Sequence, residues 1–220
     1  MIGVALKWVD LRPEVDPLSG AVHDDAHSFG CSPADQAALE WALRLAGSWS
    51  QNAGGPPEVV VVTAGPAAAE ALLRDALAAG ADRAVRVELI TDAPSDEVAL
   101  ALGDVLADAA LVCCGDYSVD RGSGSVPAYL AARLGAAQAL GLVHVEPGAE
   151  ALRVIRRLDH GRREVLSLAT GAGAPPAVLS VEGSSADLRR ASLAAVLAAR
   201  DELIDVVAAP AARAARTKVT

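Results

Sequence analysis

The residues with the clearest capacity for chemistry lie between Gly115 and Ser125, where Gly115, Gly122 and Gly124 are interleaved with Ser118, Ser123 and Ser125. An apolar run at 110–114 precedes them and a helical apolar pattern begins at Tyr129, so the cluster occupies a strand-to-helix turn. Glycine lets the backbone approach a ligand closely, and the start of the following helix presents unpaired N–H groups that attract negative charge. The chemistry suited to this arrangement is phosphate binding. A Gly/Ser cluster by itself marks a surface turn more often than a site, so its meaning depends on the elements around it.

Other reactive groups offer less. His23-Asp24-Asp25-Ala26-His27 holds two imidazoles at an i, i+4 spacing that zinc accepts on a helix, but the run is in a polar stretch without a second ligand cluster, and no metal site is assigned. His144 and His160 stand alone. The chain has no Gly-x-Ser-x-Gly elbow, no Walker loop and no G-x-G-x-x-G. Cys113 and Cys114 sit in an apolar run where a thiolate is disfavoured. As neighbours on a strand they point to opposite faces, and with three cysteines in all the expectation is reduced core residues rather than a disulfide framework. No catalytic residue is assigned, and an autonomous hydrolase or kinase is not expected.

The elements that must position the turn follow an alternating rhythm. Residues 2–9 read as a first buried strand. A polar excursion from Asp10 to Gly30, with Pro13, Pro17 and Gly20, reads as a long loop or hairpin, and loops of that length inside a domain usually have a function. Ser32-Pro33-Ala34-Asp35 opens a helix, with Ser32 as N-cap, Pro33 in the first turn and Asp35 near the positive end; Leu39, Ala42, Leu45 and Ala46 mark its buried side. A valine run at 58–63 predicts a strand covered on both faces. A helix over 67–79 ends at Gly80, a strand follows at 84–90, and a helix at 95–107 leads to the strand before Gly115. Beyond Gly135, four strands are expected at 140–145, 152–158, 164–169 and 177–181, the middle two joined by a hairpin turn at Asp159-His160-Gly161. A helix is expected at 186–200, then a tail at 201–220 that is either disordered or an arm on another subunit.

Strands alternating with helices predict a three-layer α/β/α fold with a mostly parallel sheet, of the adenine-nucleotide-binding, Rossmann-like type, with a C-terminal hairpin and helix. The domain is expected over 1–200. Ligands of such sheets sit where the loops after the strands meet, and the turn at Gly115 shares that edge with the loops after Val9 and Thr63. Of 220 residues, 52% are hydrophobic and 21% charged, ample for one large core. A formal charge of −9 argues against a nucleic-acid partner. No apolar run reaches the roughly 20 residues of a membrane helix, and the acidic Asp10 comes too early for a secretory leader, so a cytoplasmic location is expected.

Several landmarks resemble the beta subunits of electron transfer flavoproteins. They are Val4-Ala5-Leu6-Lys7, Ser32-Pro33-Ala34-Asp35, Thr63-Ala64-Gly65-Pro66, the run from Leu73 to Arg83, Leu158 to Gly161, Pro176 to Leu179, and Arg189-Arg190-Ala191-Ser192-Leu193. The run Leu73-Arg74-Asp75-Ala76-Leu77-Ala78-Ala79-Gly80-Ala81-Asp82-Arg83 is the most specific of them, and together they span about residues 2 to 200. The resemblance implies a heterodimer with an alpha subunit that carries most of an FAD site, and an AMP or a second FAD held by the beta subunit. Carried over, the nucleotide site would comprise Ala5, Ser32, Pro33, Ala34, Asp35 and Ala64, together with Gly115, Asp116, Tyr117, Ser118, Val119, Asp120, Arg121, Gly122, Ser123, Gly124, Ser125 and Val126. Gly115 and Asp120 match the family loop in spacing. Its Gln-Thr-Gly falls on Ser125-Val126-Pro127, and Pro127 has no N–H to donate.

By the same resemblance, Arg189, Ser192 and Leu193 belong to a segment that recognises the electron-donating dehydrogenase, with Leu193 as its apolar tip. On spacing alone, Leu193 is equally one buried face of a last helix, with Leu197 four residues on. The lysine-rich run usual after this segment is replaced by acidic residues in 198–205, which implies a client other than the usual acyl-CoA dehydrogenases. Trp8 either faces a flavin ring or fills a core or interface. The expected role is electron carriage toward the respiratory chain without autonomous catalysis; a lineage-specific branch such as the mycofactocin-associated one fits the altered segment. A non-enzymatic adenine-nucleotide module of the universal-stress type, or a beta subunit that has lost its AMP, are the alternatives.

Overall fold

The computed structural model describes residues 1–23, 25, 27–49, 55–148, 150–171 and 173–211, with His23 described by its backbone alone. Its strands and helices follow in the order β1 (Ile2–Ala5), β2 (Trp8–Asp10), β3 (Glu14–Val15), β4 (Val22–His23), β5 (Phe29–Cys31), α1 (Pro33–Trp49), β6 (Val59–Gly65), α2 (Glu70–Ala79), β7 (Arg83–Glu88), α3 (Ser95–Val105), β8 (Leu111–Gly115), α4 (Val126–Leu134), β9 (Ala137–Glu146), β10 (Ala151–Arg157), β11 (Arg163–Ala169), β12 (Ala177–Val181), α5 (Leu193–Ala199) and β13 (Ile204–Ala208).

The main sheet has nine strands in the order β11-β10-β9-β12-β8-β1-β6-β7-β13. Every pairing from β9 to β13 is parallel, and β10 alone runs against both its neighbours. The valine run of β6 is buried through Val59 to Val62 because helices cover both faces. Val59 and Val61 join a core with α1 and α2, while Val60 and Val62 join another with α3 and α4. Cys113 and Cys114 divide between the same two cores. The three-layer fold expected from the sequence is the fold observed.

β1 lies at the centre. From it the chain moves through β6 and β7 to one side, then returns through α3 to β8 on the other, which makes the gap between β1 and β8 the point where strand order reverses. In open α/β sheets the ligand crevice opens there, beyond the strands' C-terminal ends.

Three expectations change. The strand expected at 2–9 stops at Ala5. Trp8–Asp10 turns out to pair with β5, and β3 pairs with β4, so the polar excursion is a hairpin. The break falls at Lys7, whose N–H is taken by Asp35 (3.1 Å) instead of a sheet partner. The helix expected at 186–200 is reduced to α5, because residues 186–192 form no helix and cross outside the helical layer. Trp41 Nε1 donates to Ser185 Oγ (3.1 Å) at the start of that crossing, and Ser192 caps α5 by accepting from Ala195 N (3.1 Å). In place of a disordered tail or an arm on another subunit, Ile204–Ala208 pairs in parallel with β7 as the sheet's last strand; residues 212–220 lie outside the described ones.

The run Leu73–Arg83 acquires a structural meaning. Arg74 donates to the carbonyls of Ala199, Arg200 and Glu202 (3.0, 2.8 and 3.2 Å), closing the end of α5. Asp82 accepts from Val59 N (2.8 Å), and Arg83 pairs with Asp205 of β13 (2.9 Å). This segment therefore fastens the C-terminal crossing to the sheet. Gly80 ends α2 in the left-handed conformation at φ 118°.

Candidate functional site

A cleft of about 950 Å³, counting its open mouth, lies at the C-terminal ends of β1, β6, β7 and β8. Its organising group is Asp35. Ser32 Oγ accepts from Asp35 N (3.1 Å), fixing the first turn of α1, and the carboxylate is thereby aimed at the sheet edge. Its Oδ2 accepts from Lys7 N (3.1 Å) and its Oδ1 from Gly115 N (3.2 Å), so one side chain joins the ends of β1 and β8 to the start of α1. Burial pushes this carboxyl up to about 6, although those N–H donors and Lys7 act to lower it. Sequence reasoning has Asp35 as a complement to the helix dipole; its buried bridging role comes only with the fold.

Gly115 is required by this junction. A Cβ there would lie 2.5 Å from Asp35 Oδ1 and 2.9 Å from its backbone nitrogen. The loop that follows closes on itself through Gly124, whose φ of +58° and close approach to the Asp116 carbonyl (2.6 Å from an added Cβ) exclude a side chain. Arg121 donates to the carbonyls of Ala93 (2.9 Å) and Asp92 (2.7 Å), tying the loop to the one after β7. Lys7 Nζ forms an ion pair with Asp120. Burial raises Asp120, but hydrogen bonds from Lys7 and Ser118 more than offset it and hold the carboxyl below its usual range. Asp116 is pushed up by burial and by nearby Glu182.

The loop delivers the chain to α4, and no side chain among the described residues caps that helix. No acidic residue occupies its first turn, and Pro127 sits in that turn, where its missing N–H costs only one donor. Ser123 and Ser125 bring their hydroxyls within 3.0 Å of each other beside it. This start of α4 can receive an anion.

Of the residues expected at a nucleotide site, Ala5, Asp35, Ala64, Gly115, Asp116, Tyr117, Ser118, Arg121, Ser123, Gly124, Ser125 and Val126 line this one cleft. Ser32, Pro33 and Ala34 do not line it: Ser32 caps α1, and Pro33 and Ala34 open its first turn packed against Gly183. Val119, Asp120 and Gly122 shape the loop without lining the cleft. Sequence reasoning missed the wall made by Ile90, Thr91, Ala93 and Ser95, which the position of that segment after a strand could have flagged, and the deep apolar contribution of Val98 and Leu102 from α3.

A second feature is the outer crossing. Glu40 of α1 is buried and accepts from Arg189 through its backbone N (3.1 Å), Nε (2.9 Å) and a terminal guanidinium nitrogen (3.2 Å), and from Arg44 Nε (2.7 Å). Burial raises this carboxyl, but the two arginines prevail and hold it below its usual value. Arg189 and Ser192 therefore anchor the segment, while Leu193 projects from it at 75% exposure. The alternative of Leu193 as a buried helix face does not hold. Cys113, pushed up to about 12 by burial, and Cys114, also pushed well above its ordinary value by burial, are inert thiols. Asp24 and Ala26 and the side chain of His23 lie outside the described residues. Among the described residues no three His, Cys, Asp or Glu side chains gather as metal ligands, and no helix is long and apolar enough to cross a membrane.

Comparison with known proteins supplies the remaining constraint. Residues 20–216 match the family model described as the electron transfer flavoprotein domain. The chain is 30% identical over 213 residues to an electron transfer flavoprotein subunit beta of Syntrophomonas wolfei, covering 96% of this chain and 79% of that one. It is 33% identical over 206 residues to the protein FixA of Azorhizobium caulinodans, covering 86% and 68%. With an electron transfer flavoprotein subunit beta of Bradyrhizobium diazoefficiens the identity is 34% over 140 residues, spanning 61% of this chain and about half, 53%, of that relative.

Proposed function

Since the chain belongs to the electron transfer flavoprotein family, of beta-subunit type, we propose that it pairs with an alpha subunit to enclose one FAD and carries electrons from a dehydrogenase toward the respiratory chain. When bound, the flavin supplies the electron acceptance and release. No side chain of this chain has to act as acid or base.

The observation that carries the reading is the uncapped start of α4 opening into the cleft where strand order reverses. The lining of the cleft fits an adenine nucleotide: Val98 and Leu102 offer an apolar floor, and the hydroxyls of Ser123 and Ser125 stand beside the free helix start. These groups would hold the phosphate. Asp35 keeps the ends of β1 and β8 at the spacing the cleft needs, and Arg121 keeps the Gly-rich loop against the loop after β7. The missing N–H of Pro127 favours a second reading, in which the shared FAD remains and this chain's own nucleotide is lost.

Leu193 is the residue we assign to dehydrogenase docking, supported by its exposure on a segment anchored by Arg189. Exposed Asp201 and Glu202 stand close behind it in the chain, and they support a client whose contact surface is basic.

Co-production with the alpha subunit tests the reading. The expected product is a yellow heterodimer that releases FAD on denaturation, with AMP beside it if the cleft is filled and without AMP under the second reading. A stable colourless heterodimer would overturn the proposal.

A further inference from the structure

The chain has only three tryptophans, two tyrosines and one phenylalanine, yet two of these rings line one cleft and a third stacks on one of the two. Trp8 and Tyr117 both line the switch-point cleft, and Phe29 backs Trp8 with ring centroids 4.1 Å apart and planes inclined by 24°. Trp8 lies just past the end of β1 and Tyr117 just past the end of β8, the two neighbouring strands that flank the crevice. Each ring has its own support. Phe29 covers one face of Trp8, and its strand β5 is hydrogen-bonded to β2, which carries Trp8. The ring of Tyr117 lies against Gly122, where a Cβ would come within 2.8 Å of it. Gly122 thus leaves the room that the ring occupies.

The two cations lining the same cleft are already engaged. Lys7 is paired with Asp120, and Arg121 is spent on the Asp92 and Ala93 carbonyls. Neither cation is free to grip a chain of phosphates, which leaves a phosphate to the α4 start and the two serine hydroxyls, and the rest of a ligand to the rings.

We infer that Trp8 and Tyr117 form a stacking clamp that selects ligands of this cleft by a planar heteroaromatic ring. The inference rests on the reading of the cleft as a nucleotide site and adds which residues recognise the ring. Stacking on an aromatic platform tolerates any flat π-system, so adenine and isoalloxazine are both candidates, and the probes must separate them.

The test titrates the full chain with AMP, FMN and ribose 5-phosphate. Trp8→Leu and Tyr117→Leu should each weaken binding of the preferred ring on the order of tenfold, leave ribose 5-phosphate unchanged, and Trp8→Leu should abolish the ligand-dependent quenching of tryptophan fluorescence. Trp8→Phe, which preserves the stack on Phe29, should recover most of the affinity and guards against a folding defect. A loss confined to AMP identifies adenine as the clamped ring; a loss confined to FMN identifies the flavin. If the wild-type chain binds AMP or FMN and the leucine variants bind it equally well, the clamp is wrong while the nucleotide site survives. If the wild-type chain binds neither, the nucleotide reading and the clamp fall together.

Discussion

Replacing Asp35 by asparagine separates the charge of the bridging carboxylate from its shape. In the native chain this carboxyl stands near 6 against an ordinary value of 3.8 because it is buried. The folded state therefore holds the proton more tightly than the unfolded state, and the charged form is penalised. That penalty is absent at low pH, grows as pH rises from about 4, and is complete above the folded-state value near 6. Linkage puts its full size at about 3 kcal/mol, and roughly half of it develops between pH 5 and pH 8. The amide of the Asp35→Asn variant carries no such charge. It leaves one of the two N–H donors, from Lys7 or Gly115, facing an amide NH2, at a cost of about 1–3 kcal/mol, but this cost is the same at every pH. The stability difference, wild type minus Asp35→Asn, should therefore fall by about 1–2 kcal/mol from pH 5 to pH 8 when both are unfolded in urea and followed by circular dichroism. Parallel pH profiles would show that Asp35 keeps an ordinary affinity for its proton, and the account of the buried junction would be wrong.

Gly115→Ala should cost at least about 1–3 kcal/mol in the same assay, since the new methyl meets the Asp35 backbone as well as its carboxylate and neither can retreat. Thr63→Val should do the opposite: Thr63 is fully buried with its hydroxyl unpartnered, and the near-isosteric valine should raise stability by about 1 kcal/mol. Arg189→Ala should lose roughly 1–3 kcal/mol, because Glu40 stays buried with Arg44 as its one remaining cation, and should expose residues 186–192 to limited proteolysis. Leu193→Ala should leave stability within about 0.5 kcal/mol yet slow flavin reduction by the dehydrogenase in the heterodimer; equal rates would remove Leu193 from the docking role.

What could be read from the sequence follows from how local each determinant is. The valine run of β6, the Ser32 cap and the left-handed Gly80 announce themselves within a few residues, and each appears where expected. The C-terminal crossing does not. Leu193, Val196 and Leu197 carry helical spacing, but they lie exposed outside the helical layer, so periodicity that normally reports a core here reports an exposed face. Ile204–Ala208 becomes a strand only because β7 is the sheet's last strand without it, and its fastening through Asp205 comes from Arg83, far away in the chain. At the site the Gly-rich turn was legible from composition. The wall at Ile90 to Ser95 was not, because its place after a strand is the one signal it carries, and only strand order brings it to the same edge.

The proposed pairing makes this domain one half of a flavin container closed by an alpha subunit. Native mass spectrometry of the complex purified after co-production reads this in one spectrum. The pairing predicts a mass equal to one copy of each chain plus one FAD, with or without an added AMP. A spectrum showing this chain alone or self-associated, without an alpha subunit and without flavin, would contradict it.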